Sequence, residues 1–164
     1  AFMVMLFSRE GKLILGRRSP GKLLWGGYWD GTVASHVRNG ESYESSAKRR
    51  LMEEVGIDPA PEHLFKSRYH ARYGDIGSEN EICAVLKVEN VDENSLRPDP
   101  EEISETAAFY PVEILRMSET EKIAPWLIYA LEIMGRWQDY SPVSPARSAS
   151  RPRAWRDANA RFAA

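Results

Sequence analysis

One cysteine is all that this chain contains, so no internal disulfide framework holds it together. A lone Cys83 fits a reducing compartment, and the cytoplasm is the expected location. Long apolar runs are missing as well. None approaches the ~18 residues that a membrane-spanning helix needs, and the apolar start AFMVMLF has no basic segment before it and no cleavage site after it. An excess of charge of either sign is also lacking. Lys and Arg number 22 against 24 Asp and Glu, and the net charge of −2 offers no bulk attraction to nucleic acid or to an anionic membrane. What is present is the composition of an ordinary globular domain, 43% hydrophobic and 28% charged. At 164 residues the chain has room for one compact core and not comfortably for two.

Residues 2–7 and 13–16 are β-prone apolar runs on either side of SREGK, with Gly11 to make the turn, and they predict a hairpin. The chain enters this strand directly after Ala1, so natural residues are expected to precede it. A loop rich in glycine and aromatic residues follows, then a short strand over 32–37. Ser42 is placed to cap a helix over 43–55, where Ala47, Leu51 and Val55 recur every four residues, and Gly56 with Pro59 stops it. Further strands are expected over 64–73, 82–88 and 107–110. A last helix over 125–137 carries Trp126, Leu127, Ala130, Ile133, Met134 and Trp137 at three- and four-residue steps on one wide apolar face. Strands mixed with helices predict an α/β layered domain over 1–137. Residues 138–164, rich in Pro, Ser, Arg and Ala, read as a solvated tail.

The chemistry is densest in SHVRNGESYESSAKRRLMEEVGI, residues 35–57. Glu53 and Glu54 occupy adjacent helix positions, so their carboxylates fan out by about 100° and can hold one hard cation directly or through its waters. Arg49 and Arg50 lie one turn earlier, placed to hold those carboxylates or to reach a phosphate. In isolation RRLMEE describes equally a solvated helix face laced with ion pairs. In SENEIC, Glu79 and Glu81 alternate and share one face of a strand with Cys83, so both can converge with His36 on one metal.

As a whole, 35–57 resembles the Nudix box: glycine, five residues, Glu, seven residues, then Arg-Glu-aliphatic-x-Glu-Glu-x-Gly-aliphatic. Glu41 falls on the first Glu, Arg49 on the Arg, Leu51 on the aliphatic position, Glu53 and Glu54 on the Glu pair, and Gly56 and Ile57 on the ending. Ser35 replaces the first glycine, and Arg50 replaces the Glu after Arg49. The resemblance implies a Nudix fold, a mixed β-sheet sandwiched between helices. It also implies a small diphosphate substrate and Mg²⁺ or Mn²⁺ held by Glu41, Glu53 and Glu54.

A closer resemblance runs through GKLILGRRSPGKLLWGGYWDG, ASHVRNGES, RRLMEEVGI, YHA, SENEIC and APW, which are similar in content and order to isopentenyl diphosphate isomerases of the Nudix type. It implies that His36, Glu79 and Glu81 bind one metal and that Glu54 binds the cation bridging the diphosphate. Arg18, Lys22 and Arg50 would grip the phosphates, Tyr69 would hydrogen-bond, and Trp126 would wall the carbon tail. Two further histidine ligands would lie upstream of Ala1. In those isomerases a cysteine two residues before the metal-binding His carries one of two protons, and here Ala34 stands there. A methyl group moves no proton, whereas the Glu53–Glu54 pair is a hydrolase trait. The favoured expectation is therefore a Mg²⁺-dependent hydrolase of a small diphosphate, with Glu53 and Glu54 on the metal and Glu81 as the base. The alternatives are an isomerase with another proton carrier and a noncatalytic diphosphate-binding domain. Trp25, Tyr28, Trp29 and Trp126 are candidate walls for a base or an isoprenoid.

Overall fold

The computed structural model describes residues 1–140, with side chains described through Gly135. The side chain of Trp137 and residues 141–164 of the expected tail lie outside that description. The elements in chain order are β1 (Phe2–Ser8), β2 (Leu13–Arg18), β3 (Trp29–Gly31), β4 (Val33–Ser35), α1 (Tyr43–Val55), β5 (Glu62–Tyr73), β6 (Gly77–Val91), β7 (Ile103–Phe109), α2 (Pro111–Met117) and α3 (Pro125–Tyr140). They form an α/β domain around a mixed seven-stranded sheet with the path β3-β2-β1-β6-β5, to which β4 adds on β1 and β7 on β2. β1 runs antiparallel to β2 and parallel to β6.

The sheet is covered on both faces, which is why β1 reads as an unbroken apolar run rather than an alternating one. Phe2, Val4 and Leu6 join Ala47, Leu51 and Val55 of α1 in one core. Met3 and Met5 point the other way, into a core shared with Ile114 of α2 and with Trp126, Leu127, Ala130 and Leu131 of α3. Among the described residues no helix is long and apolar enough to cross a membrane.

Local chemistry fixes α1 at both ends. The Ser42 hydroxyl accepts the Ser45 N–H at 3.1 Å, while the Ser42 N–H donates to the Ser45 hydroxyl at 2.9 Å. Gly56 closes the helix with φ 72°, in the left-handed region that favours glycine. Ser42→Ala is expected to cost about 1 kcal/mol, read as a lower urea midpoint with an unchanged slope.

Two elements leave no periodic trace in the sequence. β3 is only WDG, and its Gly31 passes so close to β1 that a β-carbon would lie 2.5 Å from Met3 Cγ. α2 is a seven-residue segment begun by Pro111. β6 starts at Gly77 rather than at 82, because the polar GSENE half is held as strand by its pairing with β5. β7 likewise begins at Ile103, ahead of the expected 107, through its pairing with β2.

Candidate functional site

A cavity of about 240 Å³ opens where β2, β3, β4 and β6 meet α1 and α3. Arg18, Lys22, His36, Arg50, Glu54, Tyr69, Glu79, Glu81 and Trp126 all line it, and Ala34 and Cys83 do too. Residues far apart in the chain are thus brought to one place. Glu41 and Glu53 are outside the lining.

One end is ionic. Arg50 extends from α1 with NH2 at 2.6 Å from Glu54 Oε1 and 3.1 Å from Glu102 Oε1, and with NH1 at 3.0 Å from Glu53 Oε2. Lys22 pairs with the other oxygen of Glu102. Arg18, at the end of β2, donates from NH1 to Asp30 Oδ2 and from NH2 to the Leu24 carbonyl, both at 3.2 Å. The Nε atoms of Arg18 and Arg50 are buried without a partner. Two unused N–H donors on fixed cations favour an anion.

Glu54 is buried, and its Oε1 also lacks a hydrogen-bond donor, because the 2.6 Å contact with Arg50 is an ion pair without hydrogen-bond geometry. Burial pushes the Glu54 carboxyl up to about 7 against the pull of Arg50. An under-satisfied buried oxygen beside a second carboxylate, Glu102, is the donor set a hard divalent cation takes. Among the described residues no three His, Cys, Asp or Glu side chains form a ready-made cage. A hard cation that keeps its own waters binds through one or two carboxylates together with substrate phosphates, and Glu54 with Glu102 offers two.

The other end joins acids to aromatic rings. Glu81 Oε1 lies 2.6 Å from His36 Nε2, and Glu81 Oε2 lies 2.6 Å from the Tyr69 hydroxyl, which is also 2.9 Å from Glu79 Oε2. Burial, with the hydrogen bond to Glu81, raises the Tyr69 pKa and keeps the phenol protonated as a donor. Burial likewise pushes the Cys83 thiol up to about 12, so it is not a ready thiolate. Trp126 walls this end, its ring 5.5 Å from that of Tyr69 and 5.0 Å edge-on from Trp25. Trp25 itself sits under the wall, Tyr28 packs on Tyr73 and Trp29 on Phe109, and none of the three reaches the cavity.

Arg49 does not face the cavity. It binds Glu41 through Nε at 2.8 Å and NH2 at 2.9 Å, and reaches Glu53 at 3.1 Å, so it braces the loop before α1 against the helix. Hydrogen bonds from Arg49 and Ser46 hold Glu41 down at about 2. His63 and His70 are exposed on β5.

Asp30 and Glu102 line the cavity without having been singled out by motif or periodicity. Asp30 lies in the three-residue β3, and Glu102 in an acidic, proline-containing stretch that reads as a solvated loop. Burial pushes Asp30 up to about 6 against the pull of Arg18, Trp126 and the Gly31 N–H. A carboxyl with a raised folded-state pKa holds its proton longer folded than unfolded, so its contribution to stability declines as pH rises from about 4 through about 6. Asp30→Asn is expected to remove that slope, measured as the difference in urea midpoints between wild type and variant across this range.

Comparison with known proteins adds the following. A family model described as the NUDIX domain matches residues 1–131. The isopentenyl-diphosphate Delta-isomerase of Halobacterium salinarum is 41% identical over 107 residues, which cover 63% of this chain and 50% of that protein, so the chain spans half the length of this relative. The isopentenyl-diphosphate Delta-isomerase of Haloarcula marismortui is 34% identical over 139 residues, 80% of this chain and 73% of that one. Among solved structures, the MutT protein of Methanosarcina mazei aligns with a TM-score of 0.69 at 21% identity, covering 84% of this chain and 92% of its own. The NUDIX domain of Shewanella oneidensis NrtR complexed with ADP ribose aligns with a TM-score of 0.62 at 16% identity, covering 84% and 86%. At these identities the structural likeness speaks to fold alone.

Proposed function

The chain belongs to the Nudix family, and from that premise we propose that it is a divalent-metal-dependent enzyme that moves the double bond of a short isoprenoid diphosphate. The observation that carries this reading is the division of the cavity, with cations and Glu54 at one end and Glu81, Tyr69 and Trp126 at the other. At about 240 Å³ the space falls below the ~300–1,000 Å³ typical of drug-sized ligands, which suits a five-carbon chain better than a nucleoside.

Arg18, Lys22 and Arg50 bind the diphosphate, whose oxygens take up the free Nε–H groups of both arginines and replace Glu102 at Lys22. Glu54 would hold the cation, Mg²⁺ or Mn²⁺, with Glu102 beside it as a second carboxylate. When bound, the cation neutralises diphosphate charge and fixes the phosphate oxygens. Glu81 gives a proton to the terminal alkene carbon, and the positive charge that develops on the adjacent tertiary carbon lies against the indole face of Trp126. Tyr69 and His36 hold the two oxygens of Glu81 in place. Loss of a proton from the neighbouring methylene to a water molecule on the Ala34 side of the cavity completes the shift.

The sequence alone favoured hydrolysis, and the placement of α1's carboxylates moves the balance. Glu41 and Glu53 lie outside the cavity lining, both paired with Arg49 and Glu53 with Arg50 as well, whereas Glu54 lines the cavity, which favours Glu54 as the box carboxylate beside the phosphates. Hydrolysis remains the second reading because Ala34 lines the cavity with a methyl group where the related isomerases place a proton-carrying thiol. Incubation of the protein with isopentenyl diphosphate and Mg²⁺, followed by proton NMR and a phosphate-release assay, separates the two. A migrated double bond supports isomerisation, and release of phosphate or pyrophosphate supports hydrolysis. Ala34→Cys adds a single sulfur facing the cavity and is expected to raise the isomerisation rate by ~10-fold or more. An unchanged rate would place the second proton elsewhere.

A further inference from the structure

Asp30 is a buried carboxylate that the proposed reaction does not use. It stands on β3 between two residues that the reaction does use. Its Oδ1 accepts the Trp126 indole N–H at 2.7 Å and its own neighbour's N–H, from Gly31, at 2.7 Å, while Oδ2 accepts from Arg18 NH1 at 3.2 Å. We infer that Asp30 is a positioning residue that joins Arg18 and Trp126 into one unit and thereby sets the spacing between the anionic end and the apolar end of the cavity. This rests on the reading of the cavity as an isoprenoid diphosphate site.

Three observations support it. Arg18 and Trp126 come from β2 and α3, with no covalent proximity, and the Arg18 Cζ lies 5.7 Å from the indole centroid, so the two already touch. Asp30 and the Leu24 carbonyl each take one N–H, from NH1 and NH2 of Arg18, and so fix the plane of the guanidinium, while Nε has no partner. An apolar side chain at this position would leave the indole N–H and one guanidinium N–H buried without their acceptor. A carboxylate that only filled the core would be a poor choice, since burying charge is seldom stabilising in itself. With Asp30 at the junction, moving the indole moves the guanidinium. The length of substrate that spans both ends is then a fixed property of the site.

The test has two arms. In ¹⁵N-labelled, ligand-free protein the Trp126 indole N–H resonance is identified by its loss in Trp126→Phe. Arg18→Gln is expected to shift that resonance more when Asp30 is present than in the Asp30→Asn background, where the asparagine amide turns a donor toward Arg18 and only the direct approach of Arg18 to the ring at 5.7 Å remains. In the second arm, calorimetric titration with Mg²⁺ and either inorganic pyrophosphate or isopentenyl diphosphate compares wild type with Asp30→Asn and with Arg18→Gln. Wild type is expected to prefer isopentenyl diphosphate by ~10-fold, about 1.4 kcal/mol. Asp30→Asn is expected to weaken both ligands and to compress that preference to about 3-fold or less, beyond what Arg18→Gln does alone. An indole shift of equal size in both backgrounds, or no shift in either, or a preference unchanged in Asp30→Asn, overturns the inference. If Asp30→Asn fails to fold, Asp30→Glu takes its place, since it keeps the charge while displacing both acceptor oxygens and is expected to reduce the Arg18-dependent shift in the same way. Wild-type protein that binds neither diphosphate overturns the proposed function, and the indole arm still decides whether Asp30 couples the two residues.

Discussion

Glu81→Gln is expected to lower turnover of isopentenyl diphosphate by ~1,000-fold, within the ~10²–10⁴ range of a lost general acid, while the protein stays folded. The substitution is nearly isosteric, and the new amide oxygen can still accept from Tyr69, which now lies 2.6 Å from the carboxylate. What disappears is the group that can give up and recover a proton. Glu79 has the same neighbour, at 2.9 Å, but lacks the second contact with His36, so Glu79→Gln is expected to cost no more than ~10-fold by the same measure. Initial rates followed by NMR, with thermal midpoints as the control for folding, check both variants. Comparable losses in the two would mean that the pair acts jointly as a ligand set rather than Glu81 as an acid. More than a tenth of wild-type activity in Glu81→Gln would remove it from the carbon chemistry altogether.

Tyr69 refines that expectation. Its phenol stays protonated and can donate to only one carboxylate oxygen at a time, so Tyr69→Phe removes the one donor that Glu79 and Glu81 share in a half-buried setting, while Glu81 keeps its contact with His36. In the proposed reaction the Tyr69 hydroxyl and the His36 imidazole act on the acid, and their removal is expected to perturb orientation more than chemistry.

The parts of this fold that were legible in the sequence are those where local signals agree. α1 spans 43–55 as read, because a capping serine, a four-residue apolar repeat and a left-handed glycine all point to the same limits. β1 was plain as a run of six apolar residues. β3 and α2 are too short for any periodicity, and the outer half of β6 is polar on both faces, so only pairing reveals it. In the site, motif order brought Arg18, Lys22, Arg50, Tyr69 and Trp126 to attention, and the cavity lining includes each of them. Helix geometry held one further signal. Glu54 is seven residues beyond Ala47 and three beyond Leu51, on the buried stripe of α1, whereas Glu53 is two beyond Leu51 and faces away. Asp30 and Glu102 carried no such mark, because their neighbours in space come from β2, α1 and α3 rather than from the adjacent chain.

That difference between adjacent glutamates sets the second large effect. Glu54→Gln is expected to reduce turnover by at least ~100-fold, because an amide is a poor ligand for a hard divalent cation, and to raise the Mg²⁺ concentration needed for half-maximal rate. Glu53→Gln is expected to stay within ~10-fold of wild type, since an exposed ion pair contributes little and Glu53 lies outside the cavity. Stability should not follow activity. Glu54 is a buried carboxylate with an unsatisfied oxygen, and Arg50 retains Glu53 at 3.0 Å and Glu102 at 3.1 Å after the change, so removing its charge is expected to leave the thermal midpoint of the cation-free protein unchanged or higher. Loss of activity without loss of stability is the signature of a group held for chemistry rather than for the fold. Metal titrations of both variants, with midpoints measured in chelator, provide the check. Equal losses from Glu53→Gln and Glu54→Gln would show that α1 turns both carboxylates to the metal in the working enzyme, which would restore hydrolysis as the leading reading.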